Sequence, residues 1–222
     1  MTMSWRFITC AMLFVTCLLT ANVTASKLIS VGSLTLTAGI VLFPVSYIVG
    51  DVLTEVWGYA AARRVIWLGF ACNLLMVAAI WAGGALPPAP FWKGQAAYEE
   101  ILGQAPRILA ASFVAYLIGE FANAYVLARL KIATAGRWLW VRTIGSTIVG
   151  EGLDSLVFVA LAFAGTVASG VLVEIFFNQW LVKVVYEAAA TPLTYAAVGW
   201  LKARERLDTY DVTTDFNPLR LS

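Results

Sequence analysis

Long apolar runs joined by short polar links constrain this chain more than any other feature. Stretches such as "CAMLFVTCLLTANV" and "VIWLGFACNLLMVAAIWAGGAL" are too long and too oily for a water-soluble surface. Backbone in lipid must satisfy its own N–H and C=O groups, and an α-helix does so within one segment. About 20 apolar residues cross the hydrocarbon layer. Six spans are predicted, roughly at 5–25, 34–57, 63–85, 107–130, 142–166 and 170–200. The expected fold is therefore an all-α polytopic membrane protein of six transmembrane helices. The composition agrees, with 61% hydrophobic and 13% charged residues, the latter about half the share usual in soluble proteins.

The first 26 residues have the outline of a signal peptide: a basic residue, an apolar run, then small residues near Ser26. They are read as the first span because more membrane follows, not a soluble domain. The sixth span contains Pro192 and exceeds the length needed, so tilt or a kink is expected. The 86–106 link, with Pro, Trp and acidic residues, reads as a cap at the membrane surface. Lys and Arg set the orientation. Arg6, Arg63, Arg64, Arg129, Lys131, Arg137, Arg142, Lys202, Arg204, Arg206 and Arg220 fall on the face of the N-terminus, against Lys27, Lys93 and Arg107 opposite. The positive-inside rule then places both termini in the cytoplasm. The expected organisation is a transmembrane domain over 1–201 and a cytoplasmic tail over 202–222.

The chain has no histidine, which removes histidine-activated nucleophiles and most zinc, iron or haem sites. Cys10, Cys17 and Cys72 lie in apolar runs, form no CxxC pair, and read as small buried hydrophobes. No GxxxxGK[ST] loop occurs, so the chain does not hydrolyse ATP by that route. No cofactor, metal or catalytic residue is expected. An intramembrane aspartyl protease using Asp51 and Asp154 is disfavoured, because the residues around Asp154 read Gly152-Leu153-Asp154, not GxGD.

The chemistry lies in polar residues inside the spans. A charge at bilayer depth costs at least about 2.5–3.5 kcal/mol, yet Asn22, Asp51, Glu55, Asn73, Glu120, Asn123, Glu151, Asp154, Asn178, Gln179, Lys183 and Glu187 all occur there. Asp51/Glu55 and Lys183/Glu187 are i, i+4 pairs; Glu120/Asn123 and Glu151/Asp154 are i, i+3 pairs. Each pair shares one helical face, which must look into the bundle or a wet cavity. A glycine precedes an acid at Gly50-Asp51, Gly119-Glu120 and Gly150-Glu151, and glycine lets helices approach closely. The second and fifth spans also match at an offset of about 100 residues. Depth argues against an inverted repeat and for convergence on one site. Carboxylates one turn apart repel when both are ionised, so Asp51/Glu55 and Glu151/Asp154 are candidate proton sites. Lys183 is placed to pair with Glu187 or with an acid on another helix.

A carboxylate presents two coplanar acceptors to adjacent N–H donors such as those of a guanine-like base. Asn and Gln complement base edges. Tyr47 and other aromatics can stack on a flat ring. The set suits a planar nitrogenous solute without singling one out.

"ANVTASKL", "FPVSYIVGDVLTEVWGY", "PRILAASFVAYLIGEFAN", "RTIGSTIVGEGLDS" and "KVVYEAAATPLTY", in this order from about Ala21 to Tyr195, resemble the queuosine precursor transporter family, also described as a vitamin-uptake type family. The resemblance implies a bacterial inner-membrane importer of 7-deazaguanines. These are 7-cyano-7-deazaguanine and 7-aminomethyl-7-deazaguanine, salvaged for tRNA modification. Glu151 with Asp154, or Asp51 with Glu55, are expected to grip the donor edge of the base. Glu120, Asn123 and Asn22 come second; Asn178, Gln179, Lys183 and Glu187 line the sixth span, and Lys27 lies at the outer mouth. A proton-driven carrier is expected. The alternative is a substrate-binding subunit of an energy-coupling-factor type importer with a separate ATPase. The expected partners are this solute and the lipid bilayer, with no nucleic acid; plentiful small-residue helix faces leave a homodimer open.

Overall fold

In the computed structural model, residues 4–220 are described, apart from 33, 104, 105, 164, 166 and 167. The first three and last two residues of the signal-like stretch and the tail, and the end of the predicted fifth span at 166, therefore lie outside the described residues. Among those described are six long helices: α1 (Trp5–Thr24), α2 (Phe43–Trp57), α3 (Tyr59–Ala85), α5 (Pro106–Ala133), α6 (Leu139–Phe163) and α7 (Ser169–Glu205). The short α4 (Gln95–Leu102) lies in the link read as a surface cap. α1, α2 with its preceding 3-10 turn, α3, the α4–α5 stretch and α6 are long and apolar enough to cross a membrane. α7, at 37 residues, runs as helix through Pro192 and carries Glu174, Lys183 and Glu187.

The second span departs from expectation. The sequence predicts it over 34–57, but α-helix starts only at Phe43. Residues 28–37 form an antiparallel hairpin of β1 (Leu28–Val31) and β2 (Leu34–Thr37), pairing Leu28 with Thr37 and Val31 with Leu34. A 3-10 turn over Ala38–Val41 leads into α2. β-branched residues at alternate positions around a glycine favour this pairing. α2 alone has 15 residues, about 22 Å at 1.5 Å per residue, so it is a shortened helix capped by a self-paired ribbon.

Phe14, Leu18, Leu53, Val65, Ile66 and Tyr116 form the core between α1, α2, α3 and α5. Leu68, Leu75, Leu181 and Leu193 point outward, as a lipid-facing surface requires. α5 and α6 meet most closely. A Cβ on Gly119 would lie 2.7 Å from Asp154 Cβ and 3.0 Å from the Gly150 carbonyl; one on Gly150 would lie 2.6 Å from Asn123 Cβ. The glycines beside the acids thus bring these two backbones together.

The tail does not trail away from the bundle. Asp211 is buried and accepts a hydrogen bond from Tyr59 N–H at 2.9 Å. It caps α3, whose own N-cap, Gly58, has no side chain to offer. Gly58 has φ of 85°, a left-handed turn that glycine adopts freely and that lets α2 reverse into α3. Arg63 donates to the Asp215 and Asn217 carbonyls at 2.8 and 2.7 Å, and Trp67 Nε1 donates to the Pro218 carbonyl at 2.8 Å. Phe216 packs on Tyr59 and Tyr125, with ring centroids 5.0 and 5.1 Å apart.

Candidate functional site

The buried polar residues separate into two clusters at different depths. At the end of the bundle that carries both termini, Glu55 is fully buried. Arg142 grips it through two bonds, Nε to Oε2 at 3.0 Å and Nη2 to Oε1 at 2.8 Å. Lys202 donates to Oε1 at 2.6 Å, and Lys131 sits 3.5 Å from the same oxygen while donating to the Glu55 carbonyl at 2.6 Å. Asp208 of the tail closes the cluster, 2.5 Å from Lys131 and 2.8 Å from Lys202. Burial raises the Asp208 carboxyl, and the bonds from these lysines outweigh that effect, so its pKa lies below the ordinary carboxylate value. Three cations and two carboxylates here join α2, α5, α6, α7 and the tail.

The second cluster lies deeper, between α2, α5, α6 and α7. Lys183 Nζ sits between Glu151 Oε2 at 2.6 Å and Asp154 Oδ2 at 2.7 Å, so its partners are on α6 and not its helical neighbour Glu187. It also lies 4.6 Å from the centroid of Phe43. Asn123 Nδ2 donates to Asp51 Oδ1 at 2.7 Å. Glu120 lies within electrostatic reach of Glu151, Asp154 and Lys183, and Asp51 within reach of Glu187 and Glu120. The cluster therefore holds five buried carboxyl groups and one ammonium.

Several of its polar atoms have no hydrogen-bond partner among the described residues. These are Asp51 Oδ2, Glu120 Oε1, Asn123 Oδ1, Glu187 Oε1, Tyr47 Oη, Thr147 Oγ1 and Ser155 Oγ, all on residues almost wholly removed from the surface. Leaving such an atom unpaired costs about 1–3 kcal/mol. Most of them are acceptors. The arrangement is prepared for a donor-rich guest, or for protons, that would satisfy them.

Of the residues singled out from the sequence, Tyr47, Asp51, Glu120, Asn123, Glu151, Asp154, Lys183 and Glu187 come together here. Glu55 sits in the other cluster, bound to Arg142 and Lys202. Asn22 lies apart, donating to Asn73 Oδ1 at 3.2 Å. Asn178 and Gln179 are half-buried on α7. Arg142, Lys131 and Lys202 read as surface charges and are instead tied to Glu55. Thr147 and Ser155 were also missed, although each lies one turn from Glu151 on α6 and so shares its face.

The crevice that Glu120 shares with Phe14, Gly50 and Leu53 has no room for a water molecule. A cavity of about 320 Å³ lies elsewhere, beneath α4. The central groups thus converge in a closed arrangement.

Residues 37–197 match the family described as "Putative vitamin uptake transporter". The chain belongs to this family. The matched segment contains the whole central cluster and excludes Asn22, Lys202 and the tail. A Bacillus subtilis (strain 168) protein named "Probable queuosine precursor transporter" is 32% identical over 187 residues, covering 84% of this chain and 82% of that protein. The Escherichia coli (strain K12) "Queuosine precursor transporter" is 30% identical over 127 residues, covering 57% of this chain and 55% of its own. No solved structure matches the chain. With its family and its apolar helices, this family member is a multi-pass membrane protein.

Proposed function

We propose that this vitamin uptake family member carries 7-cyano-7-deazaguanine and 7-aminomethyl-7-deazaguanine across the bacterial inner membrane, with both termini in the cytoplasm. It acts as a carrier, not an enzyme, and supplies tRNA modification with salvaged base. The observation that carries this reading is the excess of unpaired acceptors in the central cluster. A deazaguanine keeps the ring N–H and exocyclic amine of guanine, two adjacent donors. Asp51, with Asn123 beside it, and Glu120 meet that edge when the helices part. Glu151 and Asp154, held by Lys183, fix the opposite wall, and Tyr47 supplies an aromatic face. Protons are the coupling ion: a central carboxyl that takes up a proton together with the base lowers the buried charge of the loaded site, so the two are carried inward together. The cationic concentration at the Glu55 end supports the cytoplasmic placement of the termini.

The test is salvage in a bacterium unable to synthesise the precursor. Trace 7-deazaguanine is supplied outside, and queuosine in tRNA is measured with and without this gene. Queuosine should appear only with the gene; equal amounts in both strains defeat the reading. Glu120→Gln and Glu151→Gln should each abolish the gain at unchanged protein level. The vitamin-uptake description of the family also favours a second reading, a binding subunit served by a separate ATPase. Uptake by the purified protein in proteoliposomes, driven by a proton gradient alone, decides for the carrier.

A further inference from the structure

We propose that the cavity beneath α4 is a second, outer site, which captures the solute before it reaches the central acids. The proposal rests on the import function above and adds a place on the route that the central cluster does not supply. At about 320 Å³, the cavity falls within the range of small-ligand pockets, about 300–1,000 Å³. Its floor is Asn73, 2% exposed, whose side chain accepts from Asn22 at 3.2 Å. Trp81 and Phe113 line it with flat faces, and Glu99 lines it from α4. Asn73 and Trp81 are eight residues apart on α3, so the cavity runs about 12 Å along that helix.

The lining suits the same class of ligand as the centre. It includes a carboxylate and two amides for a donor edge and aromatic faces for a planar ring. Among the described residues, its lining has no Lys or Arg. A phosphorylated nucleotide would meet Glu99 with no cation to offset it, so the site selects the free base. On α5, Ser112 lines the cavity, and Glu120 lies eight residues further in, about 12 Å along the helix. The outer site therefore sits one short step from the central acids.

α4 forms the roof and is stapled down at two points. Gln95 Nε2 donates to the Gly84 carbonyl at 3.0 Å and to Glu99 Oε1 at 2.7 Å, and the Tyr98 hydroxyl donates to the Ile80 carbonyl at 2.9 Å. Gln95 thus orients the Glu99 carboxylate from the roof.

Initial uptake rates of labelled 7-deazaguanine in proteoliposomes test this. Glu99 is exposed, so Glu99→Gln should fold normally. It should raise KM about 2- to 12-fold, the factor one hydrogen bond carries, with maximal rate retained. In a background lacking Cys10, Cys17 and Cys72, Ser112→Cys should react with a membrane-impermeant thiol reagent added on the α4 side. Saturating 7-deazaguanine should slow that reaction, and guanosine monophosphate should not. With wild-type uptake intact, an unchanged KM or a thiol that the base fails to protect overturns the proposal. Absence of wild-type uptake defeats the import function itself.

Discussion

The contact between Glu55 and Arg142 carries the clearest quantitative expectation. Both side chains are buried, and their two bonds of 3.0 and 2.8 Å form a planar fork. The partners left behind differ. In Arg142→Met, Glu55 keeps Lys202 at 2.6 Å and Lys131 at 3.5 Å, so the carboxylate stays compensated. The loss should be about 1.5–3 kcal/mol, the range for a hydrogen bond to a charged group. In Glu55→Gln, Lys131 and Lys202 retain Asp208. Arg142 keeps the Arg137 carbonyl at 2.6 Å, a weak 3.5 Å contact to Thr134 and the neutral amide oxygen of the new side chain, but among the described residues no carboxylate balances its charge. An uncompensated buried charge costs about 3–5 kcal/mol. Glu55→Gln should therefore be the more damaging change. At about 2–4 °C per kcal/mol for a chain of this length, it should lower the melting temperature by about 6–20 °C in detergent. Adding Arg142→Met to Glu55→Gln removes the stranded guanidinium and should restore part of the loss, with a coupling of at least about 1.5 kcal/mol. Thermal unfolding of the three variants and the wild type is the assay. Losses that add within about 0.5 kcal/mol, or a harsher effect from Arg142→Met, would refute the reasoning.

Three further expectations concern other parts of the bundle. Gly150→Ala places a methyl 2.6 Å from Asn123 Cβ and 2.9 Å from the Gly119 carbonyl; overpacking of this kind costs about 1–3 kcal/mol, readable as reduced thermal stability, and Gly150→Leu should leave no folded protein. Asp211→Ala removes the cap on α3 and should cost about 1 kcal/mol, with faster proteolysis of residues 207–220 as the readout. Because the folded pKa of Asp208 is depressed, its stabilisation is present above the unfolded value of about 3.9 and is lost as pH falls through the folded one. Protection of the tail amides against hydrogen exchange, relative to the unfolded chain at the same pH, should accordingly fall below about pH 4, and Asp208→Asn should remove that dependence.

The long helices were legible because lipid leaves an apolar run few alternatives, and α1, α3, α5 and α6 start and stop within a few residues of expectation. The hairpin was not, although "LISV" and "LTLT" flank a glycine. Their apolar content merged with the start of α2, and hydropathy does not distinguish ribbon from helix. Pairs on one face were also legible: Glu151 with Asp154, and Lys183 near an acid. Which acid was not, since spacing along α7 says nothing about which face of α6 it meets. Asp51 and Glu55 illustrate the limit. One helical turn separates them, yet one meets an amide of α5 and the other a guanidinium of α6, because their neighbours change with depth. Arg142, Lys131 and Lys202 looked solvent-facing because they lie near helix ends; only the packed bundle turns them onto Glu55.

The docking of the last residues has a consequence for biosynthesis. The Tyr59 amide waits for Asp211, 152 positions later, and Glu55 for Lys202, 147 positions later. While the ribosome is still translating α7, the earlier segments sit in the bilayer with the ends that Asp211 and Lys202 later seal still open. Completion of the structure is thus a late, post-insertion event, and a chain stalled before Lys202 offers quality-control proteases an open corner at Gly58.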